Sequence, residues 1–452
     1  MERRQFRPIR RAWRRIAAVC TTSLAVVLAA GSAPAQLLDP VGPLQDSRWL
    51  PPGSNIAAAL STLPAPLLRS EQAGGHAPDL VRLGELAFRA PGIFGGLARE
   101  SGLSCQTCHA NGHLSADFFV PGLSDRPGSF DPTNALFNRR ADDGLFRPLN
   151  IPSLRGVAMT APYGRDGRFA SLRSFTRHVI VNEFAGDEPP AWLLDALVAY
   201  QHDLAFPPAP ALGPGGRLTA AAPPAAKQGE RLFRAPFRDD SGLSCASCHP
   251  PHGNFTDGRR YDVGTGGTFT PPSLRGLAAS APYLHDGSLP TLAAVVARYD
   301  EWFVLGLSSE EEAALSAYLA TVGASALATQ PVTMASDLDR IAGGLPLLAA
   351  AIAAEDLEQA GFLVRSLRQE LGLMHNRFPD STGLQAARTS LVRWSRQLQR
   401  ILSLGEQEQV EPARQAIDAL AAEIARTRPD LEAREAESFY NPERLAAAIA
   451  GN

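Results

Sequence analysis

The stretch SGLSCQTCHANGHLS, residues 101–115, contains a CxxC pair of cysteines followed at once by a histidine. A redox disulfide, a zinc site and a covalently attached haem can all begin with CxxC, but only haem attachment requires the histidine. The chain has five cysteines, and four of them form two CxxCH motifs: Cys105, Cys108 and His109, then Cys245, Cys248 and His249. Two motifs that use every cysteine except Cys20 predict two covalently bound c-type haems, each with the adjacent imidazole as its proximal iron ligand.

The N-terminus, residues 1–35, has the pattern of a secretory signal peptide. The basic segment MERRQFRPIRRAWRR precedes the apolar segment IAAVCTTSLAVVLAAG, and APA before Gln36 matches a small-residue cleavage site. We therefore predict export and cleavage near Ala35, which would remove Cys20. No later apolar run approaches the length of a membrane-spanning helix, so we expect no transmembrane segment.

Charge and length limit the classes of function. The chain has 43 basic and 46 acidic side chains, and its formal net charge is −3. Without a basic patch, no nucleic-acid partner is expected. A length of 452 residues predicts two to three domains.

The two CxxCH motifs belong to a duplicated module. Four segments of the first module recur in the second: GELAFRAP at 84–91 as GERLFRAP at 229–236, SGLSC at 101–105 and 241–245, PSLRG at 152–156 and 272–276, and APYGRDGRFASL at 161–172 as APYLHDGSLPTL at 281–292. The first module also has an insertion between its CxxCH and its PSLRG. This insertion is rich in Gly, Pro, Asp and Asn, which predicts a long loop.

Helical patterns dominate the rest of the chain. PAWLLDALVAYQHDL at 190–204 and EEEAALSAYLATVG at 310–323 predict a helix in each module. A Pro/Gly/Ala-rich linker separates the modules. From about residue 330, apolar residues at helical spacing predict a bundle of three or four helices, with a stop at Gly405 and another at Pro429. His375 and Met374 could in principle bind a metal there, but their spacing favours ordinary bundle positions.

Together these motifs resemble the bacterial di-haem cytochrome c peroxidase and MauG family over roughly residues 80–325. The paired CxxCH, PSLRG followed by APYxxDG, and HDGS with a following TL carry the resemblance. It implies a mainly α fold of two cytochrome c-like haem domains in tandem, followed here by the C-terminal helical bundle. The domains are predicted as follows: signal peptide 1–35, peroxidatic haem domain 36–205, linker 206–228, electron-transfer haem domain 229–328 and bundle 329–452.

The resemblance also implies a role for the region around the first haem. In peroxidases of this family, a histidine of the loop before PSLRG often closes the first iron, but residues 114–149 contain no histidine. We therefore expect an open or water-bound first iron. The family's distal carboxylate maps to Glu183 as proton shuttle, with His178 as the second candidate. His113 is expected to be a structural residue near the haem.

At the second haem, the resemblance implies a ligand from the helix after HDG. The peroxidases have methionine there and MauG has tyrosine, and the equivalent residue here is Tyr299, the expected sixth iron ligand. The family's calcium site maps to Asn150, Ser280 and Pro282, whose oxygen atoms suit Ca²⁺. Two further residues are expected to pack near the second haem: Tyr283 and His285.

One position departs from the family pattern. Relatives place a tryptophan between the haems in FWDGR, whereas this chain reads GRDGR with Arg165. Electrons would then need another route between the haems, and strong coupling of the MauG kind is not expected.

The resemblance implies a periplasmic enzyme that reacts with hydrogen peroxide at the first haem and passes electrons through the second. Its expected partner is a small electron donor, a cytochrome c or cupredoxin. Two alternatives stay open: MauG-like oxidation of a partner protein or organic substrate, and a non-enzymatic electron carrier with both irons six-coordinate.

Overall fold

The computed structural model describes residues 44–238, 241–323 and 327–451 of the 452-residue chain. The predicted signal peptide, its cleavage site at Ala35 and Cys20 lie outside the described residues. The described part is mainly helical with short two-stranded ribbons, as predicted. None of its helices combines the length and the apolar composition needed to cross a bilayer.

The first module begins with short elements and is closed by a longer helix. Its helices and strands are α1 Ile56–Ser61, β1 Thr62–Pro64, α2 Arg69–Gln72, α3 Asp79–Arg89, α4 Gly96–Glu100, α5 Cys105–Cys108, β2 Ser129–Phe130, β3 Leu149–Asn150, α6 Leu172–His178 and α7 Ala191–Asp203. A π-helical turn, Val179–Glu183, continues α6. The predicted insertion is mostly irregular, and the antiparallel pair β2–β3 lies at its ends.

The second module repeats this order in a shorter form. Its elements are α8 Pro224–Arg234, α9 Cys245–Cys248, β4 Tyr261–Asp262, β5 Thr268–Phe269, α10 Leu292–Phe303 and α11 Ser309–Val322. Helix α8 begins inside the segment predicted as the linker, because Pro223 and Pro224 suit a helix N-terminus. The helix predicted over 310–323 corresponds to α11, and the helix predicted over 190–204 corresponds to α7.

In each module, a glycine allows two of the longer helices to cross closely. A Cβ atom on Gly84 of α3 would lie 2.0 Å from the Ala196 carbonyl oxygen of α7, and one on Gly229 of α8 would lie 2.0 Å from the Ala314 carbonyl oxygen of α11. Only a residue without a Cβ fits such a contact. An aromatic pair packs beside each crossing, with ring centroids 5.1 Å apart for Phe88–Tyr200 and 4.9 Å apart for Phe233–Tyr318. The repeated sequence motifs therefore correspond to the same helix crossing in both modules.

The C-terminal segment forms the predicted bundle. Its elements are β6 Thr329–Pro331, α12 Met334–Ala353, α13 Leu357–Asn376, α14 Gln385–Glu406, α15 Val410–Glu432 and α16 Pro442–Ala450. Helix α14 ends one residue after Gly405, in agreement with the predicted stop. The predicted stop at Pro429 is wrong, since α15 continues through it. Because α15 continues past Pro429, Leu431 stays buried. A proline in the last turn of a helix removes only one intrahelical hydrogen bond.

The bundle shares a hydrophobic core with the first module. One continuous cluster contains Leu83 and Leu86 of α3 together with Leu338 and Leu345 of α12. Strand β1, which precedes the first CxxCH, pairs antiparallel with β6 at the start of the bundle. The bundle is thus packed against the helix that opens the first haem module.

Charged side chains join the same two parts. Arg340 of α12 donates to the Glu370 carboxylate of α13 at 2.8 Å, and Arg89 of α3 reaches that carboxylate at 3.4 Å. Arg340 also pairs with Asp337 at 3.0 Å and lies 3.8 Å from Glu85 of α3. Glu370 is only 5% exposed, so this network is shielded from solvent.

Candidate functional site

Each CxxC pair lies on a single helical turn that is fixed by local hydrogen bonds. In α5 the Ser104 main-chain N–H donates to Thr107 Oγ1 at 3.1 Å, and in α9 the Ser244 N–H donates to Ser247 Oγ at 3.0 Å. Such capping boxes satisfy donors that a short helix would otherwise leave unpaired. The two thiols of each pair therefore have equivalent placements in the two modules.

All four described cysteines are free thiols, and none forms a disulfide. Burial raises the pKa of Cys105 to about 12 and also raises the pKa of Cys108, the latter with help from the nearby charges of Cys105 and Glu183. Among the described residues, no group of three or more His, Cys, Asp and Glu side chains is arranged to hold a metal ion. The zinc alternative needs four such ligands and finds no support there.

The histidine of the first motif is oriented as an iron ligand. His109 Nδ1 lies 3.0 Å from the Pro152 carbonyl oxygen of PSLRG. A carbonyl only accepts, so Nδ1 carries the proton and Nε2 keeps its lone pair. Burial lowers the pKa of His109 to about 4, although the Pro152 carbonyl opposes this shift, so the ring is neutral. A neutral imidazole with a fixed tautomer is the form that binds iron.

His249 in the second motif has the same orientation. Its Nδ1 donates to the Phe255 carbonyl oxygen at 2.9 Å. Burial lowers its pKa, while the carbonyls of Phe255 and Pro272 and the charge of Asp257 oppose the shift. Free thiol pairs and neutral, tautomer-fixed histidines make both sites fit covalent haem attachment.

Glu183 lies beside the first attachment site. It ends the π-helical turn, a local widening that is frequent at functional sites. Burial raises its pKa to about 7, and Arg168 opposes this shift. Its side chain is 17% exposed, and His178 Nε2 lies 3.8 Å from its Oε1. Both residues predicted as proton-shuttle candidates thus belong to one cluster, and Glu183 lies close enough to Cys108 to influence its thiol.

An aromatic cluster that the sequence analysis missed surrounds the residue after Glu183. The Phe184 ring stacks on Phe94 at 4.6 Å and on Phe130 at 5.8 Å, and it tilts against Phe137 at 5.7 Å. Phe130 and Phe137 come from the insertion, which was predicted only as a loop. Many Phe residues in that stretch could have indicated a buried role. The cluster fixes the backbone that positions the Glu183 carboxyl.

Tyr299 of α10 lies beside the second attachment site. Burial raises its pKa to about 12, and the nearby Cys248 and Cys245 add to this shift. The ring packs against Trp302 and Phe303 of the same helix. The helix therefore places Tyr299, the predicted sixth ligand, close to the thiol pair of the second CxxCH motif.

Two of the three predicted calcium ligands come together. Asn150 Nδ2 donates to the Pro282 carbonyl oxygen at 2.6 Å, and Asn150 Oδ1 is buried without a hydrogen-bond partner. Ser280 follows the turn Leu277–Ala279, and its hydroxyl donates to Gly276. Neutral oxygens of this kind fit Ca²⁺. However, the Arg165 guanidinium donates to the Asn150 main-chain carbonyl, which places a positive charge close to the same oxygens.

Other predicted residues lie at the contact between the modules or near it. His113 is 4% exposed; its Nδ1 lies 3.2 Å from Ser153 Oγ, and its Nε2 lies 3.1 Å from the Ala279 carbonyl of the second module. His285 stacks on Phe269 with centroids 4.0 Å apart. Tyr283 is buried and donates to the Leu277 carbonyl at 3.2 Å.

Tyr261, another tyrosine near the second thiol pair, was not predicted as a site residue. Tyr261 Oη donates to Asp257 at 2.5 Å and also contacts Cys248. It lies on β4, which has no counterpart in the motifs shared by the two modules, so sequence comparison of the modules could not identify it. His375 and Met374 lie on α13, and Met374 is buried in the bundle core.

Comparison with known proteins finds one matching family model and several similar proteins. The family described as "RoxA-like, cytochrome c-like" matches residues 268–301. The methylamine utilization protein MauG of Methylophilus methylotrophus is 23% identical over 278 residues, which cover 53% of this chain and 82% of that protein. MauG of Methylorubrum extorquens is 28% identical over 263 residues, which cover 49% of this chain and 69% of that protein.

A solved structure of hydrazine synthase from Kuenenia stuttgartiensis, pressurized with xenon, aligns at a TM-score of 0.40 and 21% identity. The alignment covers 63% of this chain and 95% of that one. The chain contains a cytochrome c-like domain, and its sequence relatives confirm the resemblance stated from the motifs. Over about half of its length, the chain is similar to MauG proteins at 23–28% sequence identity, in agreement with the resemblance to the di-haem cytochrome c peroxidase and MauG family.

Proposed function

We propose that the protein is an exported, periplasmic di-haem c-type oxidoreductase that reacts with hydrogen peroxide at the first haem and passes electrons through the second. The observation that carries the proposal is the Glu183 carboxyl, which lies buried beside the first CxxCH motif and has a pKa that burial raises to about 7. When bound, the haems supply the electrons for cleavage of the O–O bond. The reaction balances as one peroxide, two electrons and two protons giving two water molecules.

The role of Glu183 is to move a proton between the two peroxide oxygens. Cleavage to water requires a proton to leave one oxygen and reach the other, and a group with a pKa near the working pH can both accept and donate it. Burial holds the pKa of Glu183 at about 7, against the opposing charge of Arg168. His178, at 3.8 Å, can supply or receive the same proton from the exposed side.

The role of the two proximal histidines is to hold each iron from one side. Their Nδ1–H groups donate to main-chain carbonyls, which keeps the rings from rotating and makes Nε2 a stronger donor. On the other side, Tyr299 would close the second iron. The first iron would stay open, because loop 114–149 contains no histidine.

MauG-like oxidation of a partner protein or organic substrate is the second candidate. The position of Tyr299 beside Cys245 and Cys248 favours it, because the family resemblance assigns a tyrosine to that place in MauG and a methionine in the peroxidases. Both candidates begin with the same peroxide reaction. In the first candidate, a small electron-donor protein supplies the electrons, and this donor is a cytochrome c or a cupredoxin. In the second candidate, the substrate supplies them.

Rapid mixing of the ferric protein with hydrogen peroxide tests the proposal. We expect a change of the haem absorption spectrum within the mixing experiment, before any electron donor is added. An electron carrier with both irons six-coordinate would give no rapid change, and that result would contradict the proposal.

A calcium ion between the modules remains part of the proposal. Because Arg165 places positive charge beside the Asn150 oxygens, we expect weak binding, with a Kd on the order of 0.1–1 mM. Calorimetric titration with CaCl₂ after chelator treatment would measure it, and heats no larger than those of MgCl₂ would contradict a calcium site.

A further inference from the structure

The main chain around Glu183 is held by two other parts of the first module. The Asn182 carbonyl, directly before Glu183, accepts a hydrogen bond from Asn138 Nδ2 of the insertion at 2.5 Å. The Phe184 carbonyl, directly after Glu183, accepts from the Gly95 N–H at 3.0 Å. The last carbonyls of a helix have no partner within the helix. Asn138 and Gly95 therefore supply partners that the end of the π-helical turn lacks.

The Asn138 side chain is fixed by its own segment of the insertion. Its Oδ1 accepts from the Arg140 N–H at 3.0 Å, and its main-chain carbonyl accepts from the Ala141 N–H at 2.9 Å. Asn138 is only 9% exposed. Because the Asn182 carbonyl can only accept, the amide must present its nitrogen to it, and Oδ1 is left for Arg140. The insertion thus offers the turn one buried donor of defined direction.

Asn182 connects this donor to both proton-transfer candidates. Its side chain forms a hydrogen bond with His178, and Glu183 is the next residue of the chain. His178 Nε2 and Glu183 Oε1 lie 3.8 Å apart. A displacement of Asn182 would therefore move the carboxyl and the imidazole together.

The second module has neither the insertion nor the π-helical turn. The shared motifs from PSLRG onward are offset by 120 residues, as 152 and 272 show, so Val179–Glu183 corresponds to residues 299–303. Those five residues are all described, and they belong to the α-helix α10. The turn thus occurs in the module whose insertion contacts it.

We propose that Asn138 is the positioning residue that holds the Glu183 carboxyl, together with His178, beside the first CxxCH motif. This inference rests on the proposed function, in which Glu183 moves a proton between the two peroxide oxygens. Asn138 gives and takes no proton in that step. Its Nδ2–H group restrains the Asn182 carbonyl and, through it, the main chain from which the carboxyl projects.

Loss of this hydrogen bond should give water more access to the carboxyl. Burial raises the pKa of Glu183 to about 7, Arg168 opposes this shift, and His178 and Cys108 also face the carboxyl. With less burial the pKa would fall toward the usual value of a glutamic acid, so the carboxylate would form at lower pH. The same displacement would misplace the proton-transfer group, and an error of about 1 Å can slow a reaction roughly a hundredfold.

The test uses the full-length di-haem protein with Asn138→Leu, which keeps the approximate volume of the side chain and removes the Nδ2–H donor. Rapid mixing with hydrogen peroxide over a range of pH measures the rate. We expect the rate to fall roughly ten- to a hundredfold, and the midpoint of its pH dependence to move to lower pH.

Asn138→Asp is the second variant, and it decides the question if Asn138→Leu does not fold. Aspartate has the shape of asparagine and keeps the acceptor for the Arg140 N–H, but its carboxylate cannot donate to the Asn182 carbonyl. Its negative charge would itself raise the pKa of Glu183, so only the rate at high pH is compared. That rate should also fall roughly tenfold or more.

A double variant separates a role through Glu183 from a general effect on the module. Adding Asn138→Leu to Glu183→Gln should slow the reaction by no more than about twofold further, because the group that Asn138 positions is already lost. Thr133→Val is the matched control. The Thr133 hydroxyl donates to Asp131 at 2.8 Å in the same insertion rather than to the π-helical turn, so its loss should change neither the rate nor the midpoint.

Three results would overturn the assignment: an unchanged rate in an Asn138 variant that folds, an unmoved midpoint in Asn138→Leu, or an equal loss of rate with and without Glu183→Gln. Failure of the proposed function looks different, since the unsubstituted protein would then not react with peroxide. Infrared titration of the Glu183 carboxyl, identified as the band missing in Glu183→Gln, needs no peroxide. It would still show whether Asn138→Leu lowers the pKa of Glu183.

Discussion

The Glu183 carboxyl combines three properties that proton transfer requires. It is largely buried, its pKa is raised to about 7 by that burial, and it lies beside the first attachment site. The π-helical turn and the ring of Phe184 fix its direction. A carboxyl on a regular helix continued from α6 would be displaced from this position.

Glu183→Gln should leave both haems attached but slow the reaction with peroxide by roughly two to four orders of magnitude, because the amide cannot accept the proton. Rapid mixing with peroxide measures the rate. Glu188→Gln is the matched control, since Glu188 is exposed and pairs with Arg177 on the same segment. If Glu183→Gln reacts with peroxide about as fast as the control, then His178 or water moves the proton instead of Glu183.

The pH dependence of the peroxide reaction rate should follow the titration of Glu183. Proton acceptance requires the carboxylate form of Glu183. Burial raises the pKa of Glu183 to about 7, against the opposing charge of Arg168, so the carboxylate forms as the pH rises through that value. We expect the peroxide reaction to speed up from pH 6 to pH 8 and this dependence to vanish in Glu183→Gln. The three groups that face the carboxyl are Arg168, His178 and Cys108. An identical profile in His178→Asn would confirm that the imidazole is not the titrating group, while loss of the profile there would contradict the assignment.

In the proposed function, Tyr299 would determine the spin state of the second iron. Tyr299→Phe removes the oxygen donor and keeps the ring that packs on Trp302 and Phe303, so a low-spin ferric signal should become high-spin. Tyr261→Phe is the control, because Tyr261 also contacts Cys248 but donates to Asp257. Electron paramagnetic resonance separates the two outcomes. A low-spin signal that survives Tyr299→Phe would make His285 the next ligand to test.

At the scale of elements, the bundle is held to the first module by apolar packing and by the Arg340 network. Helix α3 carries most of the GELAFRAP motif and contacts α12 and α13. Its Glu85 and Arg89 pair with Arg340 and Glu370. The bundle thus supports the helix that leads into the first attachment site.

Arg340→Met should lower the free energy of unfolding by about 3 kcal/mol, because it leaves buried Glu370 and Asp337 without their main counter-charge. Urea unfolding followed by circular dichroism measures the difference. Arg414→Met removes an exposed, solvent-screened pair with Glu411 and should lower the free energy of unfolding far less than Arg340→Met does. Equal losses in the two variants would mean that the buried network contributes no more than a surface pair.

The elements differ in how far the sequence could predict them. Short motifs with one chemical requirement, such as CxxCH, were predictable because local sequence determines them, whereas the helix around Tyr299 was expected only from the family resemblance. The π-helical turn that ends at Glu183 was not predicted, and the Phe rings that pack against the following Phe184 come from the distant insertion. The stop at Pro429 was wrong because burial of Leu431 outweighs one lost hydrogen bond.

At the scale of the whole molecule, the duplication places two equivalent CxxCH sites in one chain and gives them different surroundings. The first has a titratable carboxyl and no histidine in its loop, and the second has a tyrosine. The way the modules meet could not be predicted, because His113, Arg165 and Asn150 contact main-chain atoms that carry no sequence signature. The difference between the two sites is the basis of the proposed function.

The measurement that tests this difference most directly is the electron paramagnetic resonance spectrum of the ferric, peroxide-free protein. The account predicts one high-spin signal from the open iron beside Glu183 and one low-spin signal from the iron closed by Tyr299, in equal amounts. Two low-spin signals, from two six-coordinate irons, would contradict it and would identify the protein as an electron carrier.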